Sequence, residues 1–87
     1  MALQILNQPD DVLAKVRAAI EAAIAGADVR VSSMSPGHFE IHVVSSAFEG
    51  LSRVKQQQLV YAAITPLMSG DAPPVHAVDR LETLVPS

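Results

Sequence analysis

The sequence predicts an α+β domain in helix–strand–strand–helix–strand order, its three strands in one sheet and its helices on one face of that sheet. Three observations lead there. An apolar stripe at spacings of three and four opens the chain, two alternating segments joined by a Pro-Gly loop follow, and a second amphipathic stretch precedes a β-leaning tail. The 87 residues accommodate a single domain, 1–87, without internal repeats.

The first element is "PDDVLAKVRAAIEAAIAG". Pro9, Asp10 and Asp11 suit a first helical turn, where a fixed φ and negative charge both help. Leu13, Val16, Ile20 and Ile24 form its apolar stripe, and Gly26 is placed to end it in a left-handed conformation. In "DVRVSSM", Val29 and Val31 alternate with Arg30 and Ser32; in "HFEIHVV", Phe39, Ile41 and Val43 alternate with His38, Glu40 and His42. The intervening Ser35-Pro36-Gly37 is turn chemistry, so the two segments read as an antiparallel hairpin.

Gly50 then punctuates the chain, and Ser52 reads as the N-cap of "RVKQQQLVYAAITPLM". Val60, Ile64 and Leu67 make this helix's stripe, with Val54, Tyr61 and Met68 beside it. Pro66 lacks an N–H and is expected to kink or end the helix near its last turn. "SGDAPP" reads as a loop and "VHAVDRLETL" as the final strand.

Composition narrows the function. The chain has 49% hydrophobic residues and three aromatics, Phe39, Phe48 and Tyr61, so its core is aliphatic and offers no platform for stacking bases. The net charge of −3 with six dispersed Lys and Arg disfavours non-specific phosphate binding. There is no cysteine, which excludes disulfides and thiolate metal sites contributed by this chain alone. No apolar run reaches the roughly 20 residues of a membrane helix, and "MALQILNQPDD" lacks a basic flank and long apolar run. A soluble, cytoplasmic domain with no membrane partner is the expectation.

With no cysteine, the metal-capable side chains are His38, His42, His76 and scattered carboxylates. His38 and His42 lie four apart on a strand, roughly 13 Å at about 3.3 Å per residue, too far for one metal ion. His42 reads as solvated beside Glu40, His38 as a loop-end histidine engaged in turn hydrogen bonding. Spacing alone favours a structural or surface role for His76 over a ligand role. No nucleophile elbow frames a serine and the four glycines are isolated, so an enzyme is not expected. The segment 50–61 also reads as helix-turn-helix-like, with Arg53 and Lys55 opening a recognition helix and three glutamines facing adenine edges. Polar residues on the exposed arc of an amphipathic helix explain the same pattern, and the acidic balance opposes the DNA reading.

Together, "HFEIHVVSSAFEG", "SRVKQQQLVYAAI" and "VHAVDRLETLVP" resemble the BolA family, and the middle block is most similar to its IbaG branch. The resemblance spans essentially the whole chain. It implies an αββαβ fold like the class II KH domain, although the Gly-x-x-Gly loop with which KH domains grip nucleic acid is absent.

It further implies a non-enzymatic partner of monothiol glutaredoxins in iron–sulfur trafficking or iron and stress regulation. The shared 2Fe–2S cluster would take a cysteine and a glutathione thiol from the glutaredoxin side, and the histidine of "VHA", His76, from this chain. Many relatives carry another Cys or His in the loop between the first two strands. Here that loop is "SMSPG" and the nearest candidate is His38, for which packing or hydrogen bonding is an equal reading. Arg53, Lys55 and Tyr61 are the expected partner or nucleic-acid surface. Gln57 stands where many relatives have histidine, a mark of the IbaG branch. The resemblance carries an alternative: a DNA-binding regulator of acid-stress or envelope and morphology genes acting through residues 50–61. The isolated chain is expected to be a monomer or weak homodimer that holds no cofactor itself.

Overall fold

The computed structural model describes residues 9–70 and 73–86. Its elements are α1 (Pro9–Ala23), β1 (Asp28–Ser35), β2 (His38–Val44), a 3-10 turn (Ser46–Phe48), α2 (Arg53–Met68) and β3 (Ala77–Leu84). This is the expected order. Asp71 and Ala72, in the predicted loop from Ser69 to Pro74, lie outside the described residues.

The sheet order is β1-β2-β3. β1 and β2 form the antiparallel hairpin, whereas β2 and β3 run parallel. Parallel neighbours need a long crossover, and here the 3-10 turn and α2 supply it. α1 packs against β1 and α2, and α2 against β3, so among the described residues both helices lie on one face of the sheet.

The covered face follows from the side-chain pattern. Phe39, Ile41 and Val43 of β2 are buried, with Val29 of β1, Phe48 of the 3-10 turn and Val75 just before β3. From the helices come Val12, Val16, Ile20 and Ile24 of α1, and Val60 and Ile64 of α2. Val12 therefore takes the innermost first-turn position that the sequence assigned to Leu13, which packs at the core's margin. The α2 stripe is also narrower than expected. Val54 is 62% exposed and Tyr61 39% exposed, because α2 crosses over β3 and presents mainly the Val60–Ile64 line inward. Gly26 follows α1 at φ +66°, as its position predicted. α2 continues only two residues beyond Pro66, in keeping with the missing N–H.

The pairing of β2 with β3 is irregular. His38 and Phe39 face Ala77 and Val78, but Glu40 faces Arg80, so Asp79 is an extra residue. Without this shift, Leu81 and Thr83 would turn to the open face beside His42 and Val44. With it, Leu81 joins Ile41 on the core face, while Glu82 stands beside His42. The bulge falls within Val78-Asp79-Arg80-Leu81, where two polar residues separate apolar ones.

Thr83, 6% exposed, completes the seam between α2 and β3. Its hydroxyl donates to Oε1 of Gln56 at 2.7 Å, and Nε2 of Gln56 donates to the Leu51 carbonyl at 3.0 Å. Thr83→Val keeps the shape but leaves Oε1 without its donor. The expected cost is about 1–2 kcal/mol, read from the urea unfolding midpoint at unchanged m. No described helix is long and apolar enough to cross a membrane.

Candidate functional site

The segment leading into β3 is pinned by three backbone hydrogen bonds to two carbonyls. Val75 is 1% exposed, and its N–H donates to the Leu67 carbonyl near the end of α2 at 3.1 Å. The next two N–H groups, of His76 and Ala77, both donate to the carbonyl of Gly37, at 2.8 and 3.0 Å. His76 thus lies just outside β3, with a fixed backbone and an exposed side chain.

Gly37 is more than a turn residue. Its φ of +79° suits glycine, and a Cβ built there would lie 2.8 Å from Cγ of His76 and 3.0 Å from its Nδ1. The imidazole is therefore seated directly on the Gly37 backbone. Neither of its nitrogens has a hydrogen-bond partner among the described residues, whereas the rings of His38 and His42 are both engaged.

His38 follows Gly37 and pairs in register with Ala77, which puts it one step from His76 across the strand boundary. Its Nδ1 is 3.1 Å from Oδ1 of Asp79, the bulge residue. His42 repeats the arrangement further along β2, with Nδ1 2.7 Å from Oε1 of Glu82. The sequence placed His42 beside Glu40 on its own strand; its acidic partner instead comes across the ladder from β3. Glu40 faces Arg80. These pairs are solvent-facing, with side chains 36–46% exposed, and pairs of this kind contribute at most about 1 kcal/mol. Their importance is directional.

Arg53, Lys55 and Tyr61 are all exposed. Arg53 and Gln57 border a depression with Arg80 to Leu84 of β3. Gln56 does not face outward as base reading requires, because it braces Leu51 and Thr83. Segment 50–61 is a turn and the first half of α2, preceded by a three-residue 3-10 turn in place of a first helix.

Among the described residues, no group of three or more His, Cys, Asp or Glu side chains is placed to hold a metal ion. An exposed imidazole on a glycine seat, without a partner among the described residues, can act as a single nitrogen donor to a site whose other ligands come from elsewhere.

A family model for BolA-like proteins matches residues 16–87. The chain belongs to this family. BolA-like protein 1 of Bos taurus is 48% identical over 44 residues, which are 51% of this chain and 30% of that protein. The match thus spans under a third of the length of the curated relatives. Among solved structures, BolA1 from Mus musculus is 32% identical at a TM-score of 0.63, covering 99% of this chain and 72% of that one. The bol-like protein from Babesia bovis is 27% identical at a TM-score of 0.71, covering 85% and 84%. Family membership and fold therefore agree with the motif blocks.

Gly37, Asp79 and Glu82 carried no functional reading from sequence. Gly37 looked like ordinary turn punctuation, and the partners of His38 and His42 depend on a register that only the folded sheet defines.

Proposed function

We propose that this protein is a non-enzymatic cluster partner: it docks a monothiol glutaredoxin and supplies His76 as a nitrogen ligand to a shared 2Fe–2S cluster. The observation that carries the reading is the His76 ring, exposed and without a hydrogen-bond partner among the described residues, while its backbone is pinned to Gly37. The residues fit the group. A neutral imidazole is a competent iron ligand, and a chain without cysteine leaves the thiolates to the glutaredoxin and its glutathione. When bound, such a cluster supplies electron-transfer or cluster-transfer chemistry, with imidazole ligation raising its potential above that of an all-thiolate site.

This chain's own contribution is orientation. Gly37 fixes where the ring stands, Val75 anchors the segment to α2, and the surface around His38 and Gly37 receives the partner. Arg53 borders the later part of β3, from Arg80 to Leu84. Of the three glutamines the DNA-reading alternative would use, Gln56 is engaged internally with Leu51 and Thr83.

The test is spectroscopic. Adding the wild-type chain to glutaredoxin loaded with a 2Fe–2S cluster is expected to change its visible absorption and circular dichroism. His76→Ala, at an exposed position, should fold normally and lose that change. A mixture whose spectrum is the same with wild type and with His76→Ala would remove His76 as ligand.

A further inference from the structure

We infer that Asp79 is a positioning residue: through the β3 bulge it fixes the tautomer of His38, leaving Nε2 of His38 as a second nitrogen donor beside His76. The inference deepens the shared-cluster reading and rests on it.

A carboxylate has only acceptor oxygens, so a neutral imidazole whose Nδ1 lies 3.1 Å from Oδ1 of Asp79 carries its proton on Nδ1. The lone pair is then on Nε2, pointing away from the carboxylate. Histidine ligands commonly donate their other ring N–H to a carboxylate, which fixes the ring and raises its basicity. His38 has this arrangement before any metal is present.

The bulge makes the contact. In a regular ladder residue 79 would face Glu40, carboxylate against carboxylate; the shift gives that place to Arg80 and releases Asp79 to reach back to His38. Position separates this pair from its neighbour. His42–Glu82 has the same chemistry and a shorter contact, 2.7 Å, yet His42 lies four residues further along β2. His38 instead adjoins Gly37, the residue that seats His76 and accepts its N–H. His42 is therefore an internal control.

Two measurements test this. In the free chain, nitrogen NMR of the imidazole rings is expected to show His38 protonated on Nδ1. Asp79→Ala should release it to mixed tautomers, Asp79→Glu should restore the bias, and His42 should be unaffected by either. A His38 protonated on Nε2 in the wild type, or a tautomer indifferent to Asp79→Ala, would overturn the inference.

In the complex with cluster-loaded glutaredoxin, the reduced cluster should show two histidine nitrogen couplings by pulsed electron paramagnetic resonance. His38→Ala should remove one, Asp79→Ala should weaken or shift that same one, and His42→Ala should change nothing. A single coupling that His76→Ala abolishes would overturn the inference and leave the proposed function standing. No histidine coupling at all would sink both.

Discussion

Phe48→Ala is expected to lower the unfolding free energy by about 3–5 kcal/mol. Phe48 is 0% exposed, one of two phenylalanines in a core otherwise made of Val and Ile. Truncation removes a ring that no neighbouring aliphatic side chain is long enough to replace, so the transfer loss and a cavity term add. The 3-10 turn also loses its anchor. The carbonyl of Phe48 accepts the N–H of Leu51 at 3.1 Å and Nε2 of Gln56 at 3.4 Å, so the entry to α2 depends on where this residue sits. Small domains have only about 5–15 kcal/mol in total, and at about 4–8 °C per kcal/mol the melting temperature should fall by roughly 12 °C or more. Val54→Ala is the contrast: at 62% exposed it should cost about 0.5 kcal/mol or less. Urea titrations of the two variants read the difference directly. A Phe48→Ala cost under about 1 kcal/mol at unchanged m would mean that the 3-10 turn does not carry the core.

That contrast also marks where sequence reading ends. Both Phe48 and Val54 are apolar, and periodicity placed Val54 beside the α2 stripe while treating Phe48 as part of a break. A helix stripe read at 3.6 residues per turn gives a direction but not a width. How much of it is buried depends on the strand below, and α2 lies over β3 along the Val60–Ile64 line. The hairpin was legible because alternation and a Pro-Gly turn are local. The parallel pairing of β2 with β3 joins residues about forty positions apart, and no local pattern encodes its register. For the same reason His76 was visible as a residue type within a motif, whereas its seat on Gly37 and the reach of Asp79 to His38 were not. Those contacts exist only once β3 lies beside β2 with one residue bulged.

Gly37→Ala should separate the two duties of Gly37, and Gly50→Ala supplies the reference. The two glycines have almost the same φ, +79° and +77°. A side chain at either pays the left-handed penalty of about 1–2 kcal/mol, so both variants should be destabilised to that extent. They differ in surroundings. A Cβ at Gly50 meets nothing within 4 Å, whereas at Gly37 it comes within 2.8 Å of Cγ of His76. The imidazole has little freedom to retreat, because the His76 and Ala77 N–H groups hold its backbone to the carbonyl of that same glycine. Either the ring rotates out of its seat or the bonds to Gly37 lengthen, and both move the nitrogen donor. Gly37→Ala should therefore lose more stability than Gly50→Ala, shift the His76 ring resonances, and weaken the His76-dependent spectral change with cluster-loaded glutaredoxin. Gly50→Ala should leave the resonances and the spectrum as they are. Equal losses in the two variants, with His76 unmoved in both, would show that Gly37 serves the turn alone and that the ring's position is set elsewhere.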